Sequence, residues 1–318
     1  MLYRFVYACA WLVSRLPYRV LYGLSDGLYL VLYYVVRYRR GIVRKNLTSS
    51  FPEKSRHEIL GIERKFYRWL CDYGVETVKL LTVSDEELLK HIEFRGTEAI
   101  ERCFDEGQPC AGMLGHYCNW EYLSTTALGM KRWGGGRAVS GERSAERSDC
   151  SSGSEDGRHA PAVMGLIYKP LRSDVMDRLF LTIRGQKGGT CVSRKDILRK
   201  LVELKRDDRM SLFGYIADQG PRWENIHLWL PFMNHDTPVF TGSERIIRKM
   251  GHAVFYIDMD RPYRGKYICT MRPITRHPEQ MAEYELTRTY FQMLEKTIRR
   301  APQYYLWSHN RWKRTRQT

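Results

Sequence analysis

The chain has 318 residues, 52 Lys+Arg against 36 Asp+Glu, a formal charge of +16 and a sequence pI near 9.5. The length allows one large domain or two small ones, and the charge calls for an anionic partner: nucleic acid, acidic phospholipid or an acidic carrier protein. A mean hydropathy of -0.48 excludes a polytopic membrane protein, and no zinc finger, helix-turn-helix or RNA-binding signature supports nucleic acid.

Residues 1–36 are apolar and aromatic, with FVYACAWLV at 5–13 and LYLVLYYVV at 28–36, interrupted by Arg15, Arg19 and Asp26. A spanning helix needs about 20 mostly apolar residues. The stretch from Val20 to Val36 either spans marginally or pairs with the first stretch as a hairpin in the interface. Arg37, Arg39, Arg40, Arg44 and Lys45 follow, which places this side in the cytoplasm. We therefore expect residues 1–40 to form a membrane-associated helical segment, an apolar anchor. Residues 41–318 form the catalytic domain.

Residues 57–80 carry apolar side chains at helical spacing and predict a long amphipathic helix. From residue 91 the pattern alternates. Strands are expected at 91–94, 110–114, 163–168, 190–193, 210–217, 253–259 and 266–271. Helices are expected at 120–130, 174–184, 195–206, 241–250 and 279–299. This order predicts an α/β fold with a mixed central sheet flanked by helices. The Gly/Ser/charge-rich segment 134–161 has no apolar period and reads as a surface insertion, its His159 solvated.

The eight cysteines stand at 9, 71, 103, 110, 118, 150, 191 and 269. With no C-x-x-C pair they argue against a zinc site, and scattered singles fit reduced thiols. No cofactor is implied. Cys118 reads as a small filler rather than a nucleophile.

The most informative stretch is AGMLGHYCNWEYL, where His116 precedes Glu121 at the end of a short apolar run. An imidazole there can take a proton from a hydroxyl near neutral pH. A carboxylate behind it would fix its tautomer. Two letters alone fit equally a solvated histidine and a first-turn glutamate favoured by the helix dipole. Ligands of open α/β sheets lie outside the carboxyl ends of the strands. Three blocks fall at such ends: His116 after CAGML, Lys169 after VMGLIY, and Asp218 and Gln219 after MSLFGYIA. Gly115 permits close backbone approach. Asn119 is either a donor to substrate or a helix cap. Lys169 otherwise faces solvent, and Asp218 otherwise serves the turn before Gly220 and Pro221. Arg245, Arg248 and Lys249 lie on the 241–250 helix, where they meet acidic headgroups, an acidic carrier or only water. Trp307, His309, Arg311 and Lys313 close the chain, and terminal basic residues ordinarily sit at the surface.

The block GHYCNWE resembles the GHxxNWE block of the bacterial lipid A biosynthesis lauroyl/myristoyl acyltransferases. VRKNL at 43–47, FPE at 51–53, YKPL at 168–171, MDRL at 176–179, ADQGP at 217–221, FMNHDTPVFTGSERIIRK at 232–249 and LWSHNRWK at 306–313 follow the same family in order. The resemblance implies a glycerol-phosphate acyltransferase-like fold. It also implies transfer of a fatty acyl chain from acyl carrier protein to a hydroxyl of a lipid A precursor at the cytoplasmic face of the inner membrane. In it His116 is the general base oriented by Glu121, while Asn119, Lys169, Asp218, Gln219, Arg245 and Arg248 contact substrate. The family often has arginine where Lys169 stands, so charge is kept but the bidentate fork is lost. Another acceptor (a glycerophospholipid, glycolipid or ornithine lipid) or a non-catalytic membrane-associated protein of the same fold are the alternatives.

Overall fold

The protein is described from a computed structural model, covering residues 1–133, 161–314 and 316. The 134–161 insertion, with His159 and Cys150, lies almost wholly outside the described residues.

The core is a seven-stranded sheet: β1 (Ile92–Arg95), β2 (Cys110–Leu114), β3 (Val163–Tyr168), β4 (Thr190–Ser193), β5 (Ser211–Ile216), and two later strands numbered β8 (Ala253–Tyr263) and β9 (Lys266–Thr275) because the hairpin of β6 (Leu228–Phe232) and β7 (His235–Val239) intervenes. The order is β1-β9-β8-β2-β5-β3-β4, with every pair parallel except the β8–β9 hairpin. The sheet is mixed, as expected, and each expected strand is present. Central strands of parallel sheets are covered on both faces and so read as continuous apolar runs. β2, CAGML, is buried at every position. The β6–β7 hairpin is not among the expected strands. Asn234 at its turn has φ +62 and Met233 φ +52, a two-residue tight turn that the sequence disguises by offering no glycine.

Ten α-helices surround the sheets among the described residues: α1 (Leu2–Ser14), α2 (Tyr18–Leu30), α3 (Arg40–Ser50), α4 (Arg56–Lys79), α5 (Asp85–His91), α6 (Thr97–Asp105), α7 (Asp174–Gly185), α8 (Ile197–Arg206), α9 (Gly242–Met250) and α10 (Glu285–Arg300). α4 starts on a capping box, in which the Ser55 N–H donates to Glu58 Oε2 at 2.8 Å and the Glu58 N–H to Ser55 Oγ at 3.3 Å. That satisfies two of the donors a helix start leaves open. The expected helix at 120–130 is a 3-10 helix, Trp120–Gly129. A Cβ at Gly115 would lie 2.5 Å from Leu294 Cδ1, so this glycine lets α10 pack under the end of β2.

The expected membrane anchor requires correction. Among the described residues no helix is long and apolar enough to cross a membrane. Pro17 divides the segment: α1 has 13 residues, and α2, also of 13, continues as a π-helical stretch, Val31–Val35, in a run that carries Arg19 and Asp26. The residues that interrupt the apolar pattern are stitched to α4 and to β8–β9. Ser25 Oγ donates to Asp72 at 2.6 Å and Tyr22 Oη to Glu76 at 3.0 Å. Asp26 pairs with Arg264 at 2.9 Å. Lys79, a buried cation, donates to the Ser14 and Leu16 carbonyls, both at 2.9 Å. Buried charges need such partners, and here the partners come from α1, α2 and the link between them. The outer side of the pair still exposes Phe5, Leu12, Leu28, Val31 and Val35.

Candidate active site

Register brings the site together. Leu114 at the end of β2 is the partner of Ile216 at the end of β5. His116 and Asp218 each lie two residues beyond that pair, on the same rim. The Asp218 carboxylate accepts the His116 backbone N–H at 3.0 Å and faces Nδ1 at 2.6 Å. An ionised carboxylate can only accept, so Nδ1 carries the proton. Gln219 Nε2 stands 3.2 Å from His116 Nε2 and donates to the lone pair there. This tautomer leaves Nε2 able to accept a proton. The Trp120 ring meets the imidazole edge-on at 5.1 Å and packs on Tyr73 at 4.3 Å.

The histidine side chain remains 18% exposed, whereas Asp218 is 2% exposed. Burial pushes the Asp218 carboxyl up, but His116, through charge and two hydrogen bonds, together with Arg311 outweighs it. The group is held below its ordinary value.

The loop that carries His116 is fixed by the chain's C-terminal segment. The Leu306 N–H donates to the His116 carbonyl at 3.1 Å and the Cys118 N–H to the Tyr304 carbonyl at 2.9 Å, which forms an antiparallel bridge between Tyr117 and Tyr305. Cys118 takes φ +52 to make the turn, and its buried thiol is pushed well above the ordinary range, which fits the filler reading. From α3, Asn46 Nδ2 donates to the carbonyls of Trp307 and His309 at 2.8 and 2.9 Å. Arg39 donates to the Ser308 carbonyl at 3.1 Å. The VRKNL and LWSHNRWK blocks are therefore one unit in space.

Glu121 is not the carboxylate on the imidazole. It is 2% exposed and holds Arg184 of α7 in a bidentate pair at 2.7 and 2.8 Å, with Tyr73 Oη at 3.3 Å. The first turn of the 3-10 helix carries it to the α7 side, while Nδ1 points back to β5. Asn119 is fully buried and donates to Glu76 Oε2 at 3.1 Å; its side chain makes no cap hydrogen bond. Lys169 follows β3 and is exposed. Leu166 pairs with Gly214, which sets the end of β3 level with that of β5 and puts Lys169 on the same rim. Arg245 and Arg248 are set apart. With Thr241, Glu244, Glu283 and Tyr284 they line an open cleft of about 420 Å³ whose wall includes neither His116 nor Asp218. Arg248 donates to the Ala282 carbonyl at 3.1 Å.

Two residues undervalued by the sequence lie next to the site. His309 is pushed down to about 4, by burial first. Arg311 is 3% exposed. Their positions at the end of a basic chain suggested solvent, and only the pairing of the terminal segment with the histidine loop takes them inside.

A histidine with a carboxylate partner, open at the carboxyl rim of a helix-flanked sheet, suits base-assisted group transfer. The profile of the bacterial lipid A biosynthesis acyltransferases matches residues 1–148 and 157–314, so the chain belongs to that family and is an acyltransferase. It is similar to the lipid A biosynthesis lauroyltransferase of Escherichia coli (strain K12), with 24% identity over 95% of this chain and 88% of the relative. The lipid A biosynthesis palmitoleoyltransferase of the same organism and a lipid A biosynthesis acyltransferase of Shigella flexneri are each 22% identical over the same shares.

Proposed function

We propose that the protein transfers a fatty acyl chain from acyl carrier protein to a hydroxyl of a lipid A precursor at the cytoplasmic surface of the inner membrane. The observation that carries the chemistry is the Nδ1–Asp218 hydrogen bond, which leaves Nε2 unprotonated at the rim. An acceptor hydroxyl takes the place of the Gln219 amide at Nε2, gives up its proton and attacks the thioester carbonyl. The tetrahedral oxyanion collapses, the C–S bond breaks, and the thiolate takes the proton from the imidazolium. Asp218 steadies that cation. The Gln219 amide and the first-turn N–H groups of the Trp120–Gly129 helix are the donors offered to the oxyanion.

Lys169 supplies a charge for an acceptor phosphate on the same rim. Arg245 and Arg248, on their separate cleft, suit the acidic carrier or headgroups rather than the reacting atoms. The +16 charge supports both anionic partners. Incubating purified protein with an acyl carrier protein thioester and a lipid A precursor, followed by mass spectrometry, should yield one added acyl chain. His116→Ala should abolish it while circular dichroism stays unchanged. Undiminished turnover by folded His116→Ala protein would sink the mechanism; acylation of a glycerophospholipid in place of the lipid A precursor would replace the acceptor.

A further inference from the structure

Arg311 is an anomaly by the rules of burial. The residue is 3% exposed, yet among the described residues its guanidinium makes one hydrogen bond, Nη2 to the Pro238 carbonyl at 2.9 Å. Its Nε and Nη1 have no hydrogen-bond partner, and among the described residues no carboxylate lies within ion-pair distance. A buried cation in that condition is costly. Its position is informative: Nη1 is 3.2 Å from where a Cβ at Gly220 would stand, against the turn that follows Asp218 and Gln219. Burial pushes the guanidinium down, opposed by the nearby Tyr305, Asp218 and Tyr290.

We propose that Arg311 is a positioning residue for the acyl transfer, a permanent positive charge behind Asp218 that keeps this carboxylate ionised and so leaves His116 free as the base. The inference rests on His116 acting as base. It follows from charge balance in a buried site. With Arg311 present, ionised Asp218 and the guanidinium cancel, and the cluster is neutral while Nε2 bears no proton. Without Arg311, a proton on the Asp218–His116 pair is retained to a higher pH. A proton on Asp218 removes the acceptor that orients Nδ1, and a proton on the imidazole fills Nε2. Both outcomes disable the base.

One further cation reaches the same turn: Arg314 Nη1 is 3.9 Å from the Gly220 Cβ position, against 3.2 Å for Arg311 Nη1. Tyr256 of β8, Tyr290 of α10 and Tyr305 of the terminal segment are phenols pushed up chiefly by burial. His309 is pushed down to about 4, so it is uncharged near neutrality. Asp218 is held below its ordinary value first by its hydrogen-bonded partner His116 and then by Arg311.

The test compares pH–rate profiles of the purified full chain. In Arg311→Met the acid limb of kcat/KM should move up by about one pH unit, with a loss of about tenfold or more at pH 6 and a smaller loss at pH 8.5. Arg311→Lys should restore most of the wild-type profile. Gly220→Ala, which crowds Nη1, should move the limb the same way but less. An acid limb that stays in place in folded Arg311→Met, with loss uniform across pH, would overturn the proposal. A second measurement covers poor folding and needs no activity: urea or thermal unfolding of Asp218→Asn, Arg311→Met and the double variant. Arg311→Met should destabilise less in the Asp218→Asn background than in the wild type, because the carboxylate it served is already neutral. Equal destabilisation in both backgrounds, or failure of the double variant to fold where Asp218→Asn folds, would overturn it as well. That cycle holds even if His116→Ala proves active, which separates failure of this inference from failure of the proposed function.

Discussion

Asp218 and Glu121 are both 2% exposed carboxylates, but their partners assign them different work. Asp218 touches the imidazole. Asp218→Asn puts an amide opposite Nδ1 and removes the charge that stabilises the imidazolium, so kcat should fall by about a hundredfold or more with little change in KM, as steady-state kinetics can check. Glu121 touches Arg184. Glu121→Gln leaves a guanidinium that is itself largely buried short of its counter-charge, and breaking such a pair costs about 3–5 kcal/mol. The loss should appear as a lower urea midpoint, while activity per folded molecule falls far less than in Asp218→Asn. A Glu121→Gln protein of normal stability and no turnover would return the orienting role to Glu121. The H-x-x-x-x-E spacing was legible in the sequence, but it cannot tell which carboxylate faces Nδ1. The strand register can: Leu114 pairs with Ile216, so residues two beyond each are neighbours.

At the scale of elements, α2 and the π-helical stretch that follows it, Val31–Val35, complete buried acids on α4. Glu63, Asp72 and Glu76 all lie on α4 and are buried. They take Tyr33, Ser25 and Tyr22 as donors at 3.1, 2.6 and 3.0 Å. Deleting residues 1–36 exposes these groups and removes the carbonyls on Lys79, so the truncated chain should be recovered aggregated or with a strongly lowered melting temperature. A truncated chain of normal melting temperature would show that these contacts carry no stability. Asn46 makes a narrower test of coupling between elements. Asn46→Ala frees the carbonyls of Trp307 and His309 without touching the imidazole, so hydrogen exchange of the amides at 304–309 should speed up and kcat should fall several-fold. The apolar pattern of 1–36 was plain in the sequence. Its meaning was not, because hydropathy does not show that Pro17 splits the run or that Asp26 has an arginine opposite.

For the whole molecule, buried histidines set the acid limit. Burial pushes His252 and His309 down to about 4 from an ordinary 6.5. The unfolded chain takes up these protons first, so the stability tied to their neutral forms is complete above pH 6.5 and declines as pH falls toward 4. The urea midpoint should drop steadily across that window and the drop should be shallower in His252→Gln; a midpoint that stays constant from pH 7 to 4.5 would contradict this. What the sequence determined by itself was local or periodic. Apolar runs and alternation gave the seven strands and the helices α4, α7, α8, α9 and α10 but not α3, α5 or α6, and the ordered motif blocks gave the family. These signals are carried by neighbouring residues and survive without knowledge of the fold. Tertiary structure alone decided which carboxylate serves His116, where Arg245 and Arg248 stand, and why Arg311 is buried. Those depend on contacts between residues far apart in the chain, 34 positions for Arg248 and Ala282, 73 for Arg311 and Pro238 and 102 for His116 and Asp218, and such contacts are fixed by strand register and by the docking of the terminal segment, which no spacing along the chain encodes.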